Sequence, residues 1–210
     1  MLNHLLSGGI DMYWRRRAIN HLRGEPGGRI LDIATGTADF AIAAARLAPR
    51  EVVGVDIADE MLAIGRKKLA ARGLSGVVSL RKGEAEGLPF ADGSFDAATV
   101  GFGVRNVSDL PLALGELRRV LVPGGRLAVL EITQPRGVLR PFYKLWFDAI
   151  VPFLGRVLPG GAAYTYLPAS VRRFPGPDAL AVLLGEAGFG SVRYRLLAGS
   201  IVALHTGAAA

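Results

Sequence analysis

Short apolar runs alternate with amphipathic stretches along most of the chain. Arg29–Ala34, Glu51–Asp56, Val77–Lys82, Phe95–Phe102 and Arg126–Ile132 have strand length and little polar interruption. Between them, Asp39–Leu47, Asp59–Arg72 and Leu110–Leu121 carry apolar residues at helical spacing. This alternation predicts an α/β fold, a mostly parallel sheet with helices on both faces. Asp59 is placed to cap its helix and Gly73 to end it, and Pro123-Gly124-Gly125 reads as a turn. Beyond Ile132 the pattern changes. Pro141 opens a helical stripe of Phe142, Leu145, Trp146, Ala149 and Phe153. A helix near Asp178–Ala187 then precedes strands Ser191–Leu197 and Ser200–His205, whose short link predicts an antiparallel hairpin at the sheet edge. Gly207–Ala210 reads as a frayed tail.

The chemistry gathers at the strand ends. Gly36 follows the first strand, and Asp56 closes the second, twenty positions on. That interval sets an acid over a ribose in nucleotide-binding βαβ units. The loop lacks the further glycines of a pyrophosphate cradle, and Asp39 stands at the mouth of the following helix. A nucleoside without phosphates and with a cationic centre suits this arrangement, and S-adenosylmethionine is the common molecule that fits. Asp32 and Gly36 would border it, Ile57 and Met61 would wall its purine, and Glu84, Ala85 and Gly101 stand at the next two strand ends. Taken singly, a glycine turn is usually only a turn; four strand ends with compatible chemistry are harder to dismiss.

Composition narrows the field. The 210 residues suit one α/β domain, and the absence of cysteine excludes disulfides, thiolate metal sites and a cysteine nucleophile. The three histidines are scattered, so no metal is expected. A net charge of +7 favours anionic partners. Of the basic residues only Arg15-Arg16-Arg17 form a run, which reads first as solvated surface and second as a contact with membrane or nucleic acid. No signal peptide or membrane span is evident, so a cytoplasmic protein is expected, with peripheral contact at the inner membrane face left open.

The block Gly83-Glu84-Ala85-Glu86-Gly87-Leu88-Pro89-Phe90-Ala91-Asp92-Gly93-Ser94-Phe95-Asp96, with Glu116–Gly125, resembles the class I S-adenosylmethionine-dependent methyltransferases. Leu2–Ser7 with Trp14-Arg15, the Phe102–Val107 run, and Tyr164–Pro175 resemble one branch, the ubiquinone/menaquinone biosynthesis C-methyltransferases. The resemblance spans nearly the whole chain. It implies a Rossmann-like seven-stranded sheet in a single domain, 1–210, with an N-terminal helical cap (1–28) and a substrate-side insertion (134–175). It further implies that Thr37 and Asp56 contact the cofactor and that Glu84-Ala85 flank its adenine. Three departures stand out. Ala38 replaces a usual glycine, Gly101 an often-present serine, and the chain begins inside the first family motif, which suggests a start further upstream or a more open pocket.

The implied reaction is C-methylation of a polyprenylated quinol ring. A phenol titrates near pKa ~10, so the site must stabilise a phenolate or supply a base. Arg105 is expected to stabilise the phenolate and Asn106 to orient a hydroxyl or a water; the plainer alternative is that Arg105 pairs with a surface acid and Asn106 caps the next turn. His4, Asp39 and Tyr164 are candidate bases, and His4, Tyr164 and Tyr166 candidate substrate contacts. The stripe beyond Pro141 suits a membrane-touching lid, a core helix or a homodimer face. Base methylation of nucleic acid is disfavoured, since no Asn/Asp-Pro-Pro-Tyr-like motif occurs.

Overall fold

The computed structural model describes residues 9–23, 27–133 and 167–210. Helix α1 (Asp11–His21) leads into β1 (Arg29–Ile33), α2 (Asp39–Ala44), β2 (Glu51–Asp56), α3 (Asp59–Ala71), β3 (Val78–Lys82) and β4 (Phe95–Gly101). Then follow α4 (Leu110–Val120), β5 (Leu121–Ile132), α5 (Leu167–Arg173), α6 (Pro177–Glu186), β6 (Phe189–Leu197) and β7 (Val202–Ala209).

The seven strands lie in the order β3-β2-β1-β4-β5-β7-β6. Strands β1 to β5 pair in parallel, while β7 runs antiparallel to both β5 and β6. The chain winds outward from β1 to β3 and then returns to lay β4 on the other side of β1. This reversal opens a crevice beyond the carboxyl ends of β1 and β4, the usual ligand position in such sheets.

Alternation along the strands divides the interior into two layers. Ile30 joins Trp14, Ile19 and Phe40 on the side covered by α1 and α2. Its neighbour Leu31 joins Leu114, Leu117, Leu180 and Leu184 on the side covered by α4 and α6. The same period puts Asp32 on the α1 side. On β5, Leu130 lies in the first layer and Val129 in the second, which puts Glu131 on the α4 side.

Most elements sit where the pattern predicts them, with four corrections. The C-terminus is not frayed: Leu127 pairs with Gly207 and Arg126 with Ala208, Ala209 is buried, and the Arg118 guanidinium donates to the Ala210 carbonyl. Small residues suit this strand because it is covered on both faces. Asp59 is the first residue of α3 rather than its cap, and its carboxylate pairs with Lys82 at 2.5 Å. Pro123-Gly124-Gly125 is a bulge inside β5, where pairing with β4 jumps from Phe95↔Leu121 to Ala97↔Arg126. Finally, Arg15 is buried rather than solvated. Gly73 behaves as expected: at φ +66° it lets its own N–H and that of Leu74 return to the carbonyls of Ala70 and Leu69, closing α3.

Candidate active site

The turn after β1 is built from Ala34-Thr35-Gly36-Thr37-Ala38, and three of its members take left-handed backbone angles: Ala34 at φ +52°, Gly36 at +55° and Ala38 at +67°. Such angles cost an alanine about 1 kcal/mol relative to glycine. Ala38 therefore holds the geometry a glycine would adopt, under strain, and interactions around the turn must enforce it.

Two carboxylates do so. Asp56 accepts from the Gly36 N–H at 2.8 Å with Oδ2 and from the Ala58 N–H at 2.9 Å with Oδ1. Asp32 accepts from Thr35 Oγ1 at 2.6 Å and from the Ala41 N–H at 3.0 Å, both on Oδ2. The Thr35 N–H also donates to the Val55 carbonyl at 3.0 Å, tying the turn to β2.

Asp56 is half-buried, and each of its oxygens keeps a lone pair after receiving its backbone donor. A vicinal diol is the natural partner for such a fork. Beside it, Ile57 is 65% exposed and Met61 41% exposed, large apolar side chains flanking an acid at a strand end. The Gly83 N–H donates to the Asp56 carbonyl, so the loop carrying exposed Glu84 and half-buried Ala85 starts against the same acid. These residues fit an adenosine: acceptors for a ribose, apolar walls for a purine.

Gly101 ends β4 against the ring of Phe40. A Cβ at Gly101 would come within 2.0 Å of Phe40 Cε2, so serine cannot stand there while the buried ring keeps its place. The departure to glycine is thus matched to Phe40.

Thr37 and Asp39 share a cationic partner from another helix. Lys68 of α3 reaches across to Asp39 at 2.5 Å and to Thr37 Oγ1 at 2.9 Å, and Thr37 Oγ1 in turn donates to Asp39 at 3.2 Å. Asp39 does not cap α2, whose N-cap position is Ala38. The negative charge at the helix mouth is therefore neutralised. The expectation that Asp39 would turn phosphates away therefore loses its electrostatic basis.

Burial pushes the Asp32 carboxyl up to about 7 from its usual 3.8, against the opposing pull of Thr35 and the Arg15 charge. The native state therefore binds this proton more tightly than the unfolded chain, and the stability contributed by Asp32 falls as pH rises from about 4 to about 7. Urea denaturation of the wild type and Asp32→Asn between pH 4 and 8 should show that slope in the first and its reduction in the second.

Arg105 and Asn106 lie in a single 3-10 turn, Val104–Asn106, after β4. Arg105 does not meet a surface acid. Its Nη1 pairs with Glu131 Oε1 at 2.7 Å, and the second oxygen of Glu131 accepts from the Arg105 backbone N–H at 3.3 Å. The Ile132 N–H adds a bond to Glu131 at 2.8 Å. Glu131 is 1% exposed; burial raises its pKa, while Arg105 and these N–H donors oppose the rise. Asn106 is exposed at the tip of the turn. Glu131 was not among the candidates, although a lone acid inside Leu127–Ile132 is itself a signal, since buried charge demands a partner.

His4, Tyr164, Tyr166 and the Phe142–Phe153 stripe lie outside the described residues. A separate cleft sits at the opposite, amino-terminal ends of the strands, bordered by Arg23, Arg46, Arg50 and Arg126, away from every site residue above. Among the described residues no helix is long and apolar enough to cross a membrane.

Comparison with known proteins agrees with this geometry. The model of the ubiE/COQ5 methyltransferase family matches residues 1–209. A demethylmenaquinone methyltransferase of Thermus thermophilus is 50% identical over 210 residues, covering 99% of this chain and 94% of the relative. A ubiquinone/menaquinone biosynthesis C-methyltransferase of Geotalea daltonii is 41% identical, covering 98% and 89%. A solved SAM-dependent methyltransferase from Aquifex aeolicus superposes with a TM-score of 0.70 at 18% identity, over 96% of this chain and 92% of that one, a likeness of fold. With its sheet order, its strand-end acids and these relatives taken together, the chain belongs to the ubiE/COQ5 methyltransferase family.

Proposed function

We propose that this protein methylates a ring carbon of a polyprenylated demethylmenaquinol, with S-adenosylmethionine as methyl donor. The observation that carries the donor is the Asp56 fork beside Ile57 and Met61, set at the crevice between β1 and β4. The acceptor is read from the Thermus thermophilus relative, a demethylmenaquinone methyltransferase, whose 50% identity favours a naphthoquinol over a benzoquinol.

When bound, the donor supplies an electrophilic methyl group on a sulfonium. Asp56 would hold the ribose diol, and Asp32 would face the amino-acid end from beneath the turn. Arg105 lies one short turn past the end of β4, on the acceptor side of the crevice. Its role would be that of a donor: Glu131 holds Nη1 and neutralises the charge, while Nε, buried without a partner among the described residues, would meet a developing phenolate. Asn106, exposed beside it, would orient the ring hydroxyl. These residues would have to hold the ring carbon in line with the methyl group, which makes the transfer effectively unimolecular. Contact of the prenyl tail with a membrane surface would involve the segment beyond Pro141.

Incubation of the purified protein with donor and short-chain demethylmenaquinol tests the reading by mass spectrometry. A product carrying one additional methyl group is expected, with the benzoquinol analogue reacting more slowly. No methylated naphthoquinol under conditions where donor binding is demonstrated would rule the acceptor out.

A further inference from the structure

We propose that Arg15 binds the α-carboxylate of the methyl donor, making helix α1 one wall of the cofactor site. This rests on reading the site as one for S-adenosylmethionine.

Arg15 belongs to a helix whose other buried members are Trp14, Ala18 and Ile19, which pack the core, and Asp11, which forms a buried ion pair with Arg15. A guanidinium is a costly thing to bury for packing alone. Arg15 is only 6% exposed, yet among the described residues its one hydrogen bond runs from Nε to Asp11, at 3.2 Å. The Nη edge has no protein partner there. Its plane is set by two rings, Phe40 at 4.8 Å and Phe102 at 5.3 Å from the guanidinium carbon. Phe40 lies in the first turn of α2, just past the glycine turn, and Phe102 directly follows Gly101 at the end of β4. The charge is thus held across the crevice between β1 and β4, where the amino-acid end of the donor must lie if Asp56 holds its ribose.

Polar atoms of opposite character wait beside it. Asp32 Oδ1 and Thr99 Oγ1 are buried without a hydrogen-bond partner, and Asp32 and Thr99 are register partners on adjacent strands, facing the α1 side. Arg15 is close enough to Asp32 to pull its pKa down, but no ion pair within 4.0 Å joins them. A cation and an anion near each other but not in contact are matched by a zwitterion. An α-amino acid supplies it, with the carboxylate for Arg15 and the ammonium for Asp32 and its neighbours. The ion pair with Asp11 engages only the Nε edge of Arg15, and leaves its Nη edge and Asp32 Oδ1 open to a ligand.

Titration calorimetry on the full chain separates the alternatives, using S-adenosylhomocysteine and its decarboxylated form, which keeps the adenosine and the ammonium. The wild type is expected to prefer the intact ligand by at least about tenfold, and Arg15→Met to lose about 10- to 100-fold on the intact ligand with little change on the decarboxylated one. Arg15→Lys, which keeps the charge and much of the stem, should fall between and serves if the Met variant does not fold. Equal affinity of the wild type for both ligands, or an equal loss on both in the variants, would overturn the assignment and leave Arg15 a packing residue. Failure of the wild type to bind either ligand would instead strike at the cofactor reading itself.

Discussion

Asp56→Asn will bind S-adenosylhomocysteine about 100- to 1,000-fold more weakly than the wild type, nearly as weakly as Asp56→Ala. The near-equivalence is the informative part. Each carboxylate oxygen of Asp56 accepts a backbone N–H, one from Gly36 and one from Ala58. An amide has one acceptor, so one backbone donor would confront an NH₂ group. The turn that Asp56 holds includes Gly36 and the strained Ala34 and Ala38, and it would relax away from the ligand. Loss of charge-assisted bonds to two ribose hydroxyls, at about 1.5–2 kcal/mol each, gives the stated range. Calorimetry measures the affinity, and thermal denaturation the accompanying drop in stability. An Asn variant retaining affinity within threefold of the wild type would mean that Asp56 only shapes the loop and makes no ribose contact.

Glu131→Ala will lower both stability and turnover, by a route that can be separated from general damage. Glu131 and Arg105 form a buried pair, with side chains 2% and 8% exposed. Removing one member strands the other charge, at a cost of about 3–5 kcal/mol. For a chain of this size each kcal/mol lowers the melting temperature by about 2–4 °C, so a fall of about 10 °C is expected. The double variant Arg105→Met/Glu131→Leu replaces the pair with apolar groups and should recover most of that loss. It should not recover kcat, because the guanidinium donor to the developing phenolate is gone. Donor affinity should stay near the wild-type value in the double variant. Full kcat in a stable double variant would reduce the pair to a structural role and leave Asn106 to be tested alone.

The site's backbone half was readable in the residues. A strand ending in Gly36 and another ending in Asp56 are local facts, and the sheet topology follows from alternating periods of apolar residues. The side-chain half was less so. Asp39 looked like a free acid at a helix mouth because Lys68, which neutralises it, is 29 positions away on another helix. Arg15 looked like one of three solvated arginines because helical periodicity alone does not say which face turns inward when a charged residue lies on it. Glu131 in its apolar run signals a buried charge, but its partner, Arg105, lies 26 positions away on another segment.

Local chemistry determined the elements and the strand ends at which Gly36 and Asp56 stand, since each depends on residues a few bonds apart or on a repeat within one strand or helix. Which charges face each other was settled only by folding. Arg15 toward Asp32, Arg105 onto Glu131 and Phe40 beneath Gly101 all join segments distant in the chain. The energy of a charge is set by what surrounds it, and for these residues the surroundings exist only after α1, β4 and β5 have closed over the crevice.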